Sequence, residues 1–128
     1  MSWVWLSSKV LLATHDEQLA EHGGAPGIRD QNLFESALAR PQNLAAYGKP
    51  DAAALAASYA FGLARNHPFI DGNKRIALIA LESFLVLNDF ELTADDTQCV
   101  AMILSLAAGD LGEDELSAWI RAHSAPAK

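Results

Sequence analysis

Nine consecutive residues, His67-Pro68-Phe69-Ile70-Asp71-Gly72-Asn73-Lys74-Arg75, put an imidazole, a carboxylate, an amide, an ammonium and a guanidinium into one short segment. The stretches on either side, Ala52 to Asn66 and Ile76 to Leu87, are the most apolar of the chain. A connector between two buried helices needs only a turn residue and a cap. Polar groups at such a junction are costly to bury unless each is paired, so the segment reads as a site.

Each residue type suits one part of a phosphoryl transfer, a reaction that needs mainly positioning and charge neutralisation. Gly72 lets the backbone turn tightly and approach a ligand. The turn feeds a helix beginning near Asn73, whose free N–H groups and dipole form an anion site. Lys74 and Arg75 lie in that first turn, where the dipole disfavours cations unless an anion joins them; Arg75 would bind phosphate through its fork and Lys74 as a point charge. Asp71 is a hard oxygen ligand suited to Mg²⁺. His67 can take the proton of an attacking hydroxyl. Pro68 is expected to end the preceding helix and hold His67 extended, and Phe69 and Ile70 to peg the loop into the core. A purely structural arrangement stays open at this level: Asp71 could cap the following helix while His67 and Arg75 satisfy each other.

The elements that would hold this loop follow from caps and periodicity. Ser7 or Ser8 caps a first helix ending near His22, closed by Gly23-Gly24-Ala25-Pro26-Gly27. Asp30 caps a second helix, Gln31 to about Arg40, which Pro41 is expected to stop, leaving Pro41 to Pro50 irregular. Asp51 caps a third helix, Ala52 to Asn66, and a fourth runs from near Asn73 to Leu87. Both are apolar on nearly every side, as buried helices are. Phe90 to Leu92 is short and extended. Thr93 or Asp95 caps a fifth helix to about Ala108, and a sixth runs from Glu113 to about His123 with an acidic first turn expected to face solvent. The tail from Ser124 is expected to fray, and Trp3 and Trp5 to anchor in the core. The fold class is all-α: a compact bundle of about six helices around a buried central hairpin carrying the loop, in one domain over residues 1–128.

Bulk properties narrow the function. Hydrophobic residues are 51% and charged residues 20%, the balance of a folded globule. A net charge of −7 argues against general nucleic-acid binding, which needs a basic face. No apolar run reaches the roughly 20 residues of a membrane span, and the first residues lack the basic start of a signal peptide, so the expected compartment is the cytoplasm. Cys99, the single cysteine, sits among Val100, Met102, Ile103 and Leu104 and reads as a core thiol. His15 and His22 read as packing or surface residues of the first helix.

The loop resembles the signature of the Fic superfamily, His-Pro-Phe-x-Asp-Gly-Asn-(Gly or Lys)-Arg, at every specified position from His67 to Arg75. Lys74, Leu78 and the early segment His15-Asp16…His22-Gly23-Gly24-Ala25-Pro26-Gly27 resemble its death-on-curing branch; Gly72 follows the wider superfamily, where that branch has alanine. The resemblance implies that His67 is the general base and Asp71 the metal-holding acid. It makes Gly72, Asn73, Lys74 and Arg75 the cradle of ATP phosphates, with Arg75 also catalytic. It implies a toxin that moves the γ-phosphate to a hydroxyl of elongation factor Tu and stops translation, with lysine at Lys74 filling space that glycine leaves open in AMP-transferring relatives. AMP transfer and a catalytically silent binding module are the alternatives. The resemblance also places a target-docking flap at Pro41 to Pro50. The inhibitory spacing Ser/Thr-x-x-x-Glu does not occur in the chain, so the expected silencer is a partner antitoxin of the Phd type.

Overall fold

A computed structural model describes residues 2–127. Six helices occur among them: α1 (Ser8–His22), α2 (Gln31–Tyr47), α3 (Ala52–Asn66), α4 (Asn73–Leu87), α5 (Asp96–Ala108) and α6 (Glu113–Ala122), with two three-residue strands, β1 (Phe90–Leu92) and β2 (Ser124–Pro126). The caps are the expected ones. Ser7, Asp30, Asp51 and Asp95 each accept a hydrogen bond from a backbone N–H of the first turn they precede. Asp95 and Gln98 complete a reciprocal capping box.

The centre is the α3–α4 hairpin. In α3 the residues Leu55 through Ala60 are fully enclosed, and in α4 Ile76, Ala80, Phe84 and Leu85 face them. Small residues allow close approach: a Cβ at Gly62 would stand 3.0 Å from the Cα and Cβ of Ala37, so α2 and α3 meet there almost backbone to backbone. Trp3 and Trp5 pack against Phe84, as expected of core anchors. Their segment is held by the Asn88 amide, which accepts from Val4 N–H at 2.9 Å and donates to Val4 C=O at 3.0 Å.

Three expectations are corrected. Pro41 does not stop the second helix; α2 continues to Tyr47 with Pro41 buried inside it. Proline removes one N–H and disfavours the helical state of the residue before it. Here Phe34, Ala37 and Pro41 share the face packed on α3, while Arg40 is fixed by Glu113 at 2.7 Å and Ser58 at 3.3 Å. Packing outweighs the lost bond. That same ion pair takes Glu113 out of the solvated role assigned to the acidic turn of α6. Nor does the tail fray from Ser124 to Ala127: β2 pairs antiparallel with β1, Phe90 opposite Pro126 and Leu92 opposite Ser124, and Ala127 N–H donates to Asp89 C=O at 2.8 Å, while Lys128 lies outside the described residues.

Candidate active site

Two segments far apart in sequence build the loop. Residues Gly27 to Asp30 lie antiparallel to Pro68 to Ile70: Ile70 N–H donates to Gly27 C=O at 3.1 Å, and Arg29 and Asp30 N–H donate to Pro68 C=O at 2.7 and 3.1 Å. The stretch facing the loop is therefore Gly23 to Asp30. Pro41 to Pro50, expected to be the flap, stands elsewhere. Because Ala37 meets Gly62 and Arg40 meets Ser58, α2 and α3 run antiparallel. The end of α2 thus lies beside the start of α3, while His67 follows the end of α3 about 22 Å away along the helix.

Within the loop, Phe69 is the peg. It is buried, stacks on His15 with ring centroids 3.7 Å apart, and meets Phe34 edge-on at 5.4 Å. Ile70 is not a second peg; it is 55% exposed. Asn73 is buried; its side chain accepts from Phe69 N–H and donates to Phe69 C=O, both at 2.9 Å, and reaches toward His67 Nδ1 at 3.5 Å. Its amide is committed to shaping the loop, so only its backbone N–H is left to face a ligand. His15, buried in α1, donates from Nε2 to the Asp71 carbonyl at 2.8 Å.

His67 is not extended. It closes α3 in the left-handed conformation, φ 50° and ψ 57°. The preference imposed by a following proline is overridden because the chain must reverse out of α3 and its carbonyl is taken by Arg29 Nε at 2.7 Å. Gly72, at φ 77°, precedes α4 with no side-chain cap. Asp71 therefore does not cap α4, and the N–H groups of Asn73, Lys74 and Arg75 have no intrahelical partner. Nor do His67 and Arg75 satisfy each other. Among the described residues neither Lys74 nor Arg75 forms an ion pair.

These groups surround one cleft of about 270 Å³, lined by His67, Ile70, Asp71, Gly72, Asn73, Lys74 and Arg75. Every residue the sequence singled out for chemistry borders it. Lys74 and Arg75 also border a second cleft of about 260 Å³ with apolar walls from Leu78, Val100, Ile103 and Leu104. Asp71 is exposed, and each carboxylate oxygen accepts one backbone N–H, from Gly72 at 3.0 Å and from Ala25 at 3.3 Å, leaving lone pairs over. No group of three or more metal-type ligands occurs among the described residues. A single carboxylate fits Mg²⁺ shared with substrate phosphates and water, the usual manner of holding that ion, rather than a cation caged by protein.

Two ties to the loop were not foreseen. His15 packs, as read from the sequence, on the buried stripe of α1 between Leu11 and Leu19, but its bond to the Asp71 carbonyl was not expected. Arg29 carried no signal in the sequence. Cys99 is a core thiol as expected, and burial pushes its pKa up. No helix among the described residues is long and apolar enough to cross a membrane.

The Fic/DOC family model matches residues 5–85. The chain is 30% identical over 117 residues to "Protein kinase doc" of Escherichia phage P1, covering 91% of this chain and 92% of that protein. It is 36% identical over 111 residues to "Toxin Doc" of Mycolicibacterium smegmatis, covering 83% of this chain and 85% of that one.

Proposed function

The chain belongs to the Fic/DOC family, and on that premise we propose that it is a toxin that transfers the γ-phosphate of ATP to a hydroxyl of a protein target, elongation factor Tu, and so blocks translation in the cytoplasm. The observation that carries the reading is the cleft lined by His67 and Ile70 to Arg75 at the start of α4, where N–H groups without an intrahelical partner, two cations unpaired among the described residues, a carboxylate and an imidazole converge.

In this reaction the phosphates rest on the N–H groups of Asn73, Lys74 and Arg75, with Gly72 allowing their close approach. Arg75 and Lys74 offset the charge spread over the equatorial oxygens. Asp71 would hold Mg²⁺, which supplies charge neutralisation across the phosphates. His67, exposed at the rim, takes the target's proton on Nε2. That nitrogen carries the lone pair in the Nδ1–H tautomer, and the 3.5 Å contact from Asn73 is too long to forbid it. The target oxygen bonds to the γ-phosphorus as the bond from that phosphorus to the bridging oxygen breaks, leaving ADP. Leu78 supports γ- over α-transfer: it makes the adjoining cleft apolar where AMP-transferring relatives place a second arginine.

Silencing falls to a Phd-type antitoxin, since the chain lacks the inhibitory Ser/Thr-x-x-x-Glu spacing. The test is expression of the chain alone and with such a partner, following protein synthesis and the intact mass of elongation factor Tu. Arrest together with a gain of one phosphoryl group, absent for His67→Ala and relieved by the partner, supports the proposal. A gain of one AMP group moves the reading to AMP transfer, and growth with neither change rejects the toxin reading.

A further inference from the structure

We propose that Arg29 is the positioning residue for the base, a role that rests on the reading of His67 above. Three consecutive carbonyls at the end of α3 point at this one residue. The guanidinium donates from Nη2 to Asn66 C=O at 2.8 Å and from Nε to His67 C=O at 2.7 Å. The Arg29 backbone N–H donates to Pro68 C=O at 2.7 Å. Carbonyls at a helix C-terminus lack intrahelical partners and carry the negative end of the dipole, so a guanidinium fork suits them.

The clamp falls where the backbone is least comfortable. His67 is one of two non-glycine residues with positive φ among the described residues, and the proline after it favours an extended state. Such conformations persist only where surroundings over-determine them. Asn73 shapes the loop from inside through Phe69; Arg29 holds the backbone of His67 from outside. Arg29 is itself anchored, because the next residue, Asp30, caps α2 through Leu33 N–H at 3.0 Å. Among the described residues Arg29 has no carboxylate partner, and it borders neither cleft at the start of α4. It fixes the base without touching the nucleotide.

The test compares wild type, Arg29→Gln and Arg29→Lys. Backbone φ at His67 is read by NMR cross-correlated relaxation, and phosphotransfer is read as separate kcat and KM for ATP. Arg29→Gln is expected to move φ of His67 to negative values and to lower kcat by about 10- to 100-fold, the scale of a misplaced reacting group, with KM for ATP little changed. Arg29→Lys, which can reach one carbonyl but not two, is expected to fall between. Positive φ at His67 in Arg29→Gln, or unchanged kcat, overturns the proposal. If Arg29→Gln does not fold, the same two readouts on Arg29→Lys decide. If wild type transfers no phosphate, the functional reading fails, while the φ measurement still decides whether Arg29 sets the backbone of His67.

Discussion

His15 and Asp71 lie 56 residues apart and are joined by a 2.8 Å hydrogen bond from the buried imidazole of α1 to the backbone carbonyl just before Gly72. The contact ties the first helix to the turn that opens α4. The same ring stacks on Phe69, so one side chain touches the loop at both Phe69 and Asp71.

Removing the donor should loosen the loop more than the bundle. His15→Leu leaves the Asp71 carbonyl without its partner, a loss of about 1–3 kcal/mol. Thermal unfolding should register that drop, and amide exchange should quicken at residues 69–75 before it does in α3.

Gly72 should resist substitution. At φ 77° an added Cβ would stand 3.3 Å from His15 Nε2, so the ring must shift by a few tenths of an ångström and the backbone carries left-handed strain. Gly72→Ala is expected to cost about 1–2 kcal/mol, lowering the melting temperature by a few degrees. An unchanged melting temperature would show that the turn relaxes freely.

Most of this site was legible in the sequence because it is contiguous. Asp71, Gly72, Lys74 and Arg75 sit at one helix start, and a local cap rule is enough to bring them together. Ser7, Asp30 and Asp51 likewise announced their helices, since each cap acts within three residues. Arg29, Pro41 and the tail were not legible for the opposite reason. Their structure is set by partners 30 or more residues away for Arg29 and Ser124–Pro126, and by burial against α3 for Pro41. His67 misled because a pairwise rule about proline ignored the helix end that the residue also closes.

Acid should weaken the α3–α6 junction. Arg121 donates to both oxygens of Asp51, at 2.6 and 3.0 Å, and this hydrogen bonding holds the carboxyl below its ordinary pKa. A depressed folded-state value means the contribution is present above the unfolded value, about 4, and is lost as pH falls through the lower folded value. Asp51→Asn keeps a capping side chain but no charge. Wild type should be the more stable at pH 7, and the two melting curves should converge as pH drops below 4.

Cys99 should behave as core. Desolvation raises its pKa, and Glu82, Asp96 and Asp95 add to the effect. A thiol-specific reagent at pH 8 should label it only at the rate of unfolding, so labelling should accelerate in step with added denaturant. Rapid labelling of the native protein would contradict its burial.

Lys74 should govern which phosphate is presented. It borders both clefts at the start of α4. Lys74→Gly opens that space and removes one cation, so transfer of the γ-phosphate is expected to fall by about 10-fold or more while α-phosphate transfer rises relative to it. Equal loss of both would reduce Lys74 to a simple phosphate contact.

The central claim is tested most directly by incubating the purified chain with Mg²⁺, elongation factor Tu and ATP labelled on the γ-phosphate or, in parallel, on the α-phosphate. Label is expected on the target from the γ-position alone, and none with His67→Ala. Label from the α-position, or γ-label that survives His67→Ala, would contradict it.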